Sequence, residues 1–211
     1  MIPGPVPWRV AAAAKQETLS TGLEHVDRLT GGGFPRGSLT EICGPASSGR
    51  TSLALAVLAA ATGAGECCAY VDTEGAFDPQ SAAAAGVKLD RLLWVRCGGN
   101  PEYALRSTDL VVQAGGFGVV IFDLGGVRPE IARRIPAASW FRLRRAVEGT
   151  RTALALIEQQ PNAKAAASLI LEMRQGGLAW AGKLLLGARR EAALRKPPRS
   201  ATVSLEWLAA G

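Results

Sequence analysis

The stretch "SLTEICGPASSGRTSLALAVLAAAT" (residues 38–62) decides how the chain is read. A strand-like run, "SLTEIC", leads into a glycine and serine loop, "GPASSGRT" at residues 44–51, and an Ala/Leu-rich stretch follows. Strand, glycine loop and helix form the context in which G-x-x-x-x-G-K-[ST] makes a phosphate-binding loop. The loop N–H groups and the positive end of the following helix then cradle an anion. Gly44, Ser47, Ser48, Gly49, Arg50, Thr51 and Ser52 are the expected contacts to ATP, with the Thr51 hydroxyl on Mg²⁺. One position departs from the pattern, because Arg50 stands where lysine is required. Lysine is a compact point charge that threads between loop amides, whereas a guanidinium is planar and larger. In a site that works by positioning, a misplacement of about 1 Å costs about 10²-fold in rate. The expectation is weak or vestigial ATP and Mg²⁺ binding, with negligible or very slow hydrolysis.

Two further motifs fit that loop. In "VVIFD" (residues 119–123) four apolar residues precede Asp123, which would close a central strand and face the magnesium through water. In "YVDTEGAFDP" (residues 70–79) Glu74 ends a strand where a carboxylate can polarise a water aimed at the γ-phosphate. Either acidic residue alone could simply be a polar strand end. The rest of the chain alternates apolar runs with helical stretches, the pattern of a parallel sheet wrapped by helices. "LLWVRC", "TALALIEQ" and "ASLILEMR" read as strands. "PEYALRSTDLVVQA" reads as a helix opened by Pro101, and "SWFRLRRAVEG" as one capped by Ser139. The tail "LLLGARREAALRKPPRSATVSLEW" reads as two strands turning at "KPPR", since Pro197 and Pro198 forbid a continuous helix. The expected fold is α/β: a P-loop core with a mostly parallel central sheet, helices on both faces and a C-terminal β-hairpin. Residues 1–20 are expected to form a short N-terminal segment, and 21–207 one core domain.

Composition excludes several function classes. The chain has four cysteines, Cys43, Cys67, Cys68 and Cys97, with no C-x-x-C pair, and one histidine, His25. That argues against a zinc site, a histidine-based triad or a disulfide frame, and for buried thiols in the cytoplasm. No apolar run reaches the roughly 18 residues of a membrane helix, so no membrane role is expected. The opening "MIPGPVPWRVAAAAK" lacks a basic segment ahead of an apolar core and is not read as a signal peptide. The net charge of +6 is uneven: residues 1–127 carry 9 basic and 12 acidic side chains, residues 128–211 carry 15 and 6. Of the 24 basic residues 19 are arginine, the side chain suited to forked contact with phosphate.

Taken together, "TGLEHVDRLTGGGFPRGSLTEICGPASSGRTSLAL", "YVDTEGAFDP", "ALRSTDLVVQAGGFGVVIFDL", "LIEQQ" and "ASLILEMR" resemble the core of bacterial RecA recombinases over about residues 20–207. The resemblance implies that Glu74 matches the catalytic base and Asp123 the Walker B aspartate. It also implies that Gln159 links the γ-phosphate to DNA-binding loops. Besides Arg50, Leu124 departs from the pattern by replacing a small hydroxyl residue, and the segments matching both DNA loops are short. The shortened pattern in "SWFRLRRAVEGT" and "EQQPNAKAAASLILEMR" is similar to ImuA, the RecA-like accessory family of bacterial mutagenesis cassettes. That similarity implies a role in translesion synthesis beside RecA, ImuB and an error-prone DNA polymerase alpha-type subunit.

Three functions stay open: an adaptor, an ATP-driven recombinase, and another P-loop enzyme such as a small-molecule kinase. The basic set Arg128, Arg133, Arg134, Arg142, Arg144 and Arg145 flanks the place of the first DNA loop. It is either a solvated helix face or a contact for single-stranded DNA, weak, salt-dependent and blind to sequence. Arg195 and Lys196, in "LRKPPR", match the region through which RecA protomers reach a neighbour's nucleotide, and are the expected partner contacts.

Overall fold

A computed structural model of the protein describes residues 16–181, 184–197 and 201–208. A short antiparallel pair, β1 (Thr18–Leu19) and β2 (Phe34–Pro35), brackets helix α1 (Glu24–Thr30). The main sheet contains β3 (Ser38–Cys43), β4 (Cys68–Asp72), β5 (Leu92–Arg96), β6 (Val119–Asp123), β7 (Ala153–Glu158), β8 (Leu169–Ala181), β9 (Leu184–Lys196) and β10 (Thr202–Leu208). Their order is β10-β9-β8-β3-β7-β6-β4-β5. From β8 to β5 the neighbours run parallel, and β8, β9 and β10 form an antiparallel extension. This is the α/β sheet with a C-terminal hairpin that the sequence pattern calls for.

The helices are α2 (Arg50–Gly63), α3 (Pro79–Ala84), α4 (Pro101–Ala114), α5 (Pro129–Ala132) and α6 (Ala137–Val147). A strand buried on both faces sends alternate side chains to opposite layers. In β6, Val119 and Ile121 join the core under α2, with Leu53, Val57, Leu58 and Ala61. Val120 and Phe122 join the core under α4 and α6, with Ala104, Val112, Trp140 and Leu143. One strand therefore feeds both layers, which is why "VVIF" has no polar side.

Helix α4 starts as its sequence asks. The Asn100 side chain accepts from Glu102 N–H at 3.0 Å and Tyr103 N–H at 3.1 Å, with Pro101 in the first turn. Helix α6 corrects an expectation: it begins at Ala137 behind Pro136, two residues before Ser139, and has no side-chain cap. Ser139 is buried with Trp140, Leu143 and Val147, so packing against the sheet claims it instead of the helix end. The segment before β1 is tied to the core by charge. Arg36 makes a forked contact with Glu66 at 2.6 and 3.1 Å, and Glu17 bridges Arg36 at 3.3 Å and Arg151 at 2.6 Å. No described helix is long and apolar enough to cross a membrane.

Candidate functional site

The carboxyl ends of the parallel strands, where open α/β sheets bind ligands, bring the sequence motifs together. Strand β3 ends at Cys43, the loop turns through residues 44–49, and α2 begins at Arg50. Gly44, at φ 152°, lies so close to β8 that an added Cβ would sit 2.2 Å from the Met173 carbonyl oxygen. The Gln175 amide on β8 donates to the Ala46 carbonyl at 2.9 Å, and Gly44 N–H donates to Glu158 O at 3.2 Å. The loop is thus braced by strands on both sides before any ligand arrives. A cavity of 180 Å³ lies against it, lined by residues 47–52 and by Arg190 from β9. Burial and the nearby Glu41 push the Cys43 thiol up to about 12, so it stays a thiol and not a nucleophile.

Arg50 explains the departure from lysine. The residue is only 7% exposed, and its Nη2 donates to the Gly125 carbonyl at 3.3 Å. Gln159 Nε2 reaches the same oxygen at 3.3 Å and Val127 O at 3.2 Å. Residues 125–127, which follow β6, are therefore held from the start of α2 and from the end of β7 at once. Asp123 takes a hydrogen bond on each carboxylate oxygen: Tyr70 donates its hydroxyl to Oδ2, and Gly125 N–H donates to Oδ1 at 2.7 Å. A Cβ added at Gly125 would lie 2.9 Å from Asp123 Oδ1 and 3.5 Å from Arg50 Nη1, so the two charged groups flank this glycine. Burial raises the Asp123 carboxyl above the usual range, against the pull of Tyr70, Gly125 and Arg50. Burial lowers the Arg50 guanidinium while Asp123 counters it. Tyr70 is raised well above its ordinary value by burial and by Asp123.

Glu74 sits exposed on the turn after β4. Asp72 fixes that turn, accepting from Gly75, Ala76 and Phe77 N–H at 2.8, 3.0 and 3.0 Å and from Trp94 Nε1 at 3.1 Å. A Cβ at Gly126 would come within 2.9 Å of Glu74 Cγ, which places Glu74 beside the segment that Arg50 and Gln159 hold. Arg50, Glu74, Asp123 and Gln159 therefore converge on the adjacent glycines 125 and 126. Leu124 points away and is fully buried in the second core, so it is a packing residue.

The loop after β7 is pinned from two sides. Glu41 accepts from Asn162, Ala163 and Lys164 N–H at 2.8, 2.6 and 2.9 Å. The Lys196 ammonium donates to the carbonyls of Lys164 at 3.1 Å, Ala165 at 3.3 Å and Ala167. The charge of Lys196 is thus spent inside the chain. Arg195 is held by Glu172, with half of its side chain exposed.

The six arginines near the first loop do not form one patch. Arg128, Arg133 and Arg134 lie on or beside α5 at the site end of the sheet, and Arg133 donates to Gln160. Arg142 faces Asp109 of α4 at 3.3 Å. Arg144 and Arg145 lie in the last turn of α6, and Arg144 lines a 520 Å³ cavity with Arg36, Gly37 and Thr150 at the opposite end of the strands. Helix α6, 11 residues long, separates these ends by about 16 Å at 1.5 Å per residue.

Sequence reasoning missed Tyr70, Asp72, Glu41 and Arg190. Tyr70 and Asp72 alternate along the strand beside β6, so a tyrosine two residues before an acidic strand end was a usable signal. Arg190 had none, because only the antiparallel return of β9 brings it to the loop. The expectation of buried thiols holds for Cys43, Cys68 and Cys97, all free, whereas Cys67 is exposed at the edge of β4.

A family model described as the RecA N-terminal domain matches residues 9–132. Protein RecA of Deinococcus radiodurans is 47% identical over 108 residues, which cover 51% of this chain and 30% of that protein. Protein RecA of Laribacter hongkongensis is 45% identical over 108 residues, with the same 51% and 30% covered. The chain thus spans less than a third of the length of these curated relatives. Among solved structures, the crystal structure of the RadB recombinase superposes with a TM-score of 0.69 at 23% identity, covering 89% of this chain and 94% of that one. That likeness is one of fold.

Proposed function

The chain belongs to the RecA N-terminal domain family, and from that premise we propose that it is a non-recombinase member acting as an adaptor in bacterial DNA-damage tolerance. Within that reading it resembles ImuA, works in the cytoplasm in SOS-linked translesion synthesis, and binds RecA, ImuB or both through one core domain, residues 21–207. An error-prone polymerase completes the assembly. Its nucleotide site is degenerate, with ATP and Mg²⁺ held weakly and turned over negligibly.

The observation that carries this reading is the engagement of Arg50. The residue that should hold phosphate is bonded to the Gly125 carbonyl, as is Gln159, the residue that should sense it. In an engine the nucleotide makes the link between P-loop and DNA loops; here the chain's own side chains make it. The pinned loop after β7 supports the same reading, since a loop held by Glu41 and Lys196 has little freedom to order around DNA. An ATP-driven recombinase is the second reading, favoured by the exposure of Glu74 and Thr51 at the site.

The test is co-purification with RecA and ImuB of the same organism, without nucleotide. Association with either partner, weakened by Arg195→Glu, is the expected result. A folded protein that retains neither partner would refute the adaptor.

A further inference from the structure

We propose that Glu41 and Glu158 form a proton-operated latch on the loop after β7, closed while they share one proton and released when it leaves. Glu41 lies within β3 and Glu158 ends the neighbouring β7, both buried. Three successive loop amides, those of Asn162, Ala163 and Lys164, donate to Glu41 at 2.8, 2.6 and 2.9 Å. Asn162 also donates to Glu158, from its N–H at 3.3 Å and from Nδ2 at 2.6 Å. The two carboxyls thus hold the start of the loop, while Lys196 holds the carbonyls of Lys164, Ala165 and Ala167.

Closure holds the loop against two costs. Lys164 stands at φ 41°, in the left-handed region that a side chain disfavours, and donates to Glu41 from that conformation. The second cost is charge. Burial, then the hydrogen bond to Glu41, hold Glu158 well above its ordinary 4.5. The surrounding groups offset a second negative charge poorly. On β3, Cys43 stays a thiol, and on β8 the negative Glu172 already holds Arg174 and Arg195. From α2, Arg50 attracts an ionised Glu158, but its head is bonded to the Gly125 carbonyl. The Lys164 side chain is exposed to water. Once both carboxyls ionise, the loop finds relief by leaving, which hydrates the pair and relaxes Lys164. Release then reaches the segment after β6. Gln159, next to Glu158, holds Gly125 and Val127, and Gln160 accepts from Arg133. The latch needs neither an active nor an idle nucleotide site.

The test is amide hydrogen exchange of wild type and Glu158→Gln from pH 4.5 upward, each rate divided by the intrinsic rate at that pH. Opening returns Glu158 to its ordinary range, so the closed loop is favoured at low pH and loses that favour as pH rises through the raised value. Wild-type protection at residues 162–164 should therefore fall by up to about tenfold per pH unit, then level off. Glu158→Gln has no proton to lose and should show no such slope. Amides of β6, residues 119–123, should stay better protected than the loop at every pH. Protection at 162–164 that does not change with pH in wild type overturns the latch, whether or not the variant folds. Loop protection equal to that of β6 also overturns it, because the loop then leaves only with global unfolding. A slope that persists in folded Glu158→Gln assigns the proton elsewhere and overturns it as well.

Discussion

Replacing Glu158 by glutamine should flatten the pH dependence of stability. Glu158, 1% exposed, ends β7 beside Glu41, 0% exposed, on the neighbouring β3. It accepts from Asn162 N–H at 3.3 Å and Asn162 Nδ2 at 2.6 Å. Two buried carboxyls this close cannot both ionise cheaply, so one keeps its proton. Burial first, then the hydrogen bond and charge of Glu41, hold Glu158 well above the ordinary 4.5. Above pH 4.5 the unfolded chain has released a proton that the folded chain retains, so stability falls as pH rises and levels off only past the raised value. The slope reaches about 1.4 kcal/mol per pH unit for one proton. Glutamine keeps a donor toward Glu41 and an acceptor toward Asn162 but has no proton to lose. Urea unfolding from pH 4.5 upward, followed by tryptophan fluorescence, should show wild type losing stability relative to Glu158→Gln by up to that slope, at unchanged m-value. Parallel profiles for the two proteins would refute the shared-proton account.

Three further outcomes follow from single contacts. Tyr70→Phe strips Asp123 Oδ2 of its hydroxyl donor in a buried place, and should lower stability by about 1–3 kcal/mol in urea unfolding. Gly44→Ala drives a Cβ to 2.2 Å from the Met173 carbonyl oxygen, and should cost more than about 1 kcal/mol while shifting β8 amide resonances. Lys196→Met releases the carbonyls of Lys164, Ala165 and Ala167, and should speed hydrogen exchange at residues 162–168. Unchanged exchange there would remove the anchoring role of Lys196.

The sheet was legible because its central strands are uniform. "VVIFD" must be covered on both sides, and "GPASSGRT" fixes a strand before it and a helix after it, so three elements and their order follow from two short motifs. Pro101 marked the start of α4 by chemistry that depends on no distant contact, and the Asn100 cap before it went unread. Ser139 misled because serine suits both a cap and a tight helix–sheet contact, and only the tertiary packing chooses. Glu74 and Asp123 stood out by their places at strand ends, and Gln159 only through the resemblance to RecA. The direction taken by Arg50 was not, because a long side chain can run toward a phosphate or toward a carbonyl with the same backbone. Glu41 and Glu158 looked like ordinary charges near strand ends, and the register of β3 on β7 is what buries them together. The arginine cluster looked continuous in sequence, but the length of α6 splits it.

Phosphate release from ATP and Mg²⁺, with single-stranded DNA present, is the most direct test of the proposal that this RecA-like core is not an engine. Wild-type protein should release phosphate no faster than a Glu74→Ala variant assayed beside it. Release at a rate comparable to that of an active RecA, lost on Glu74→Ala, would contradict the account.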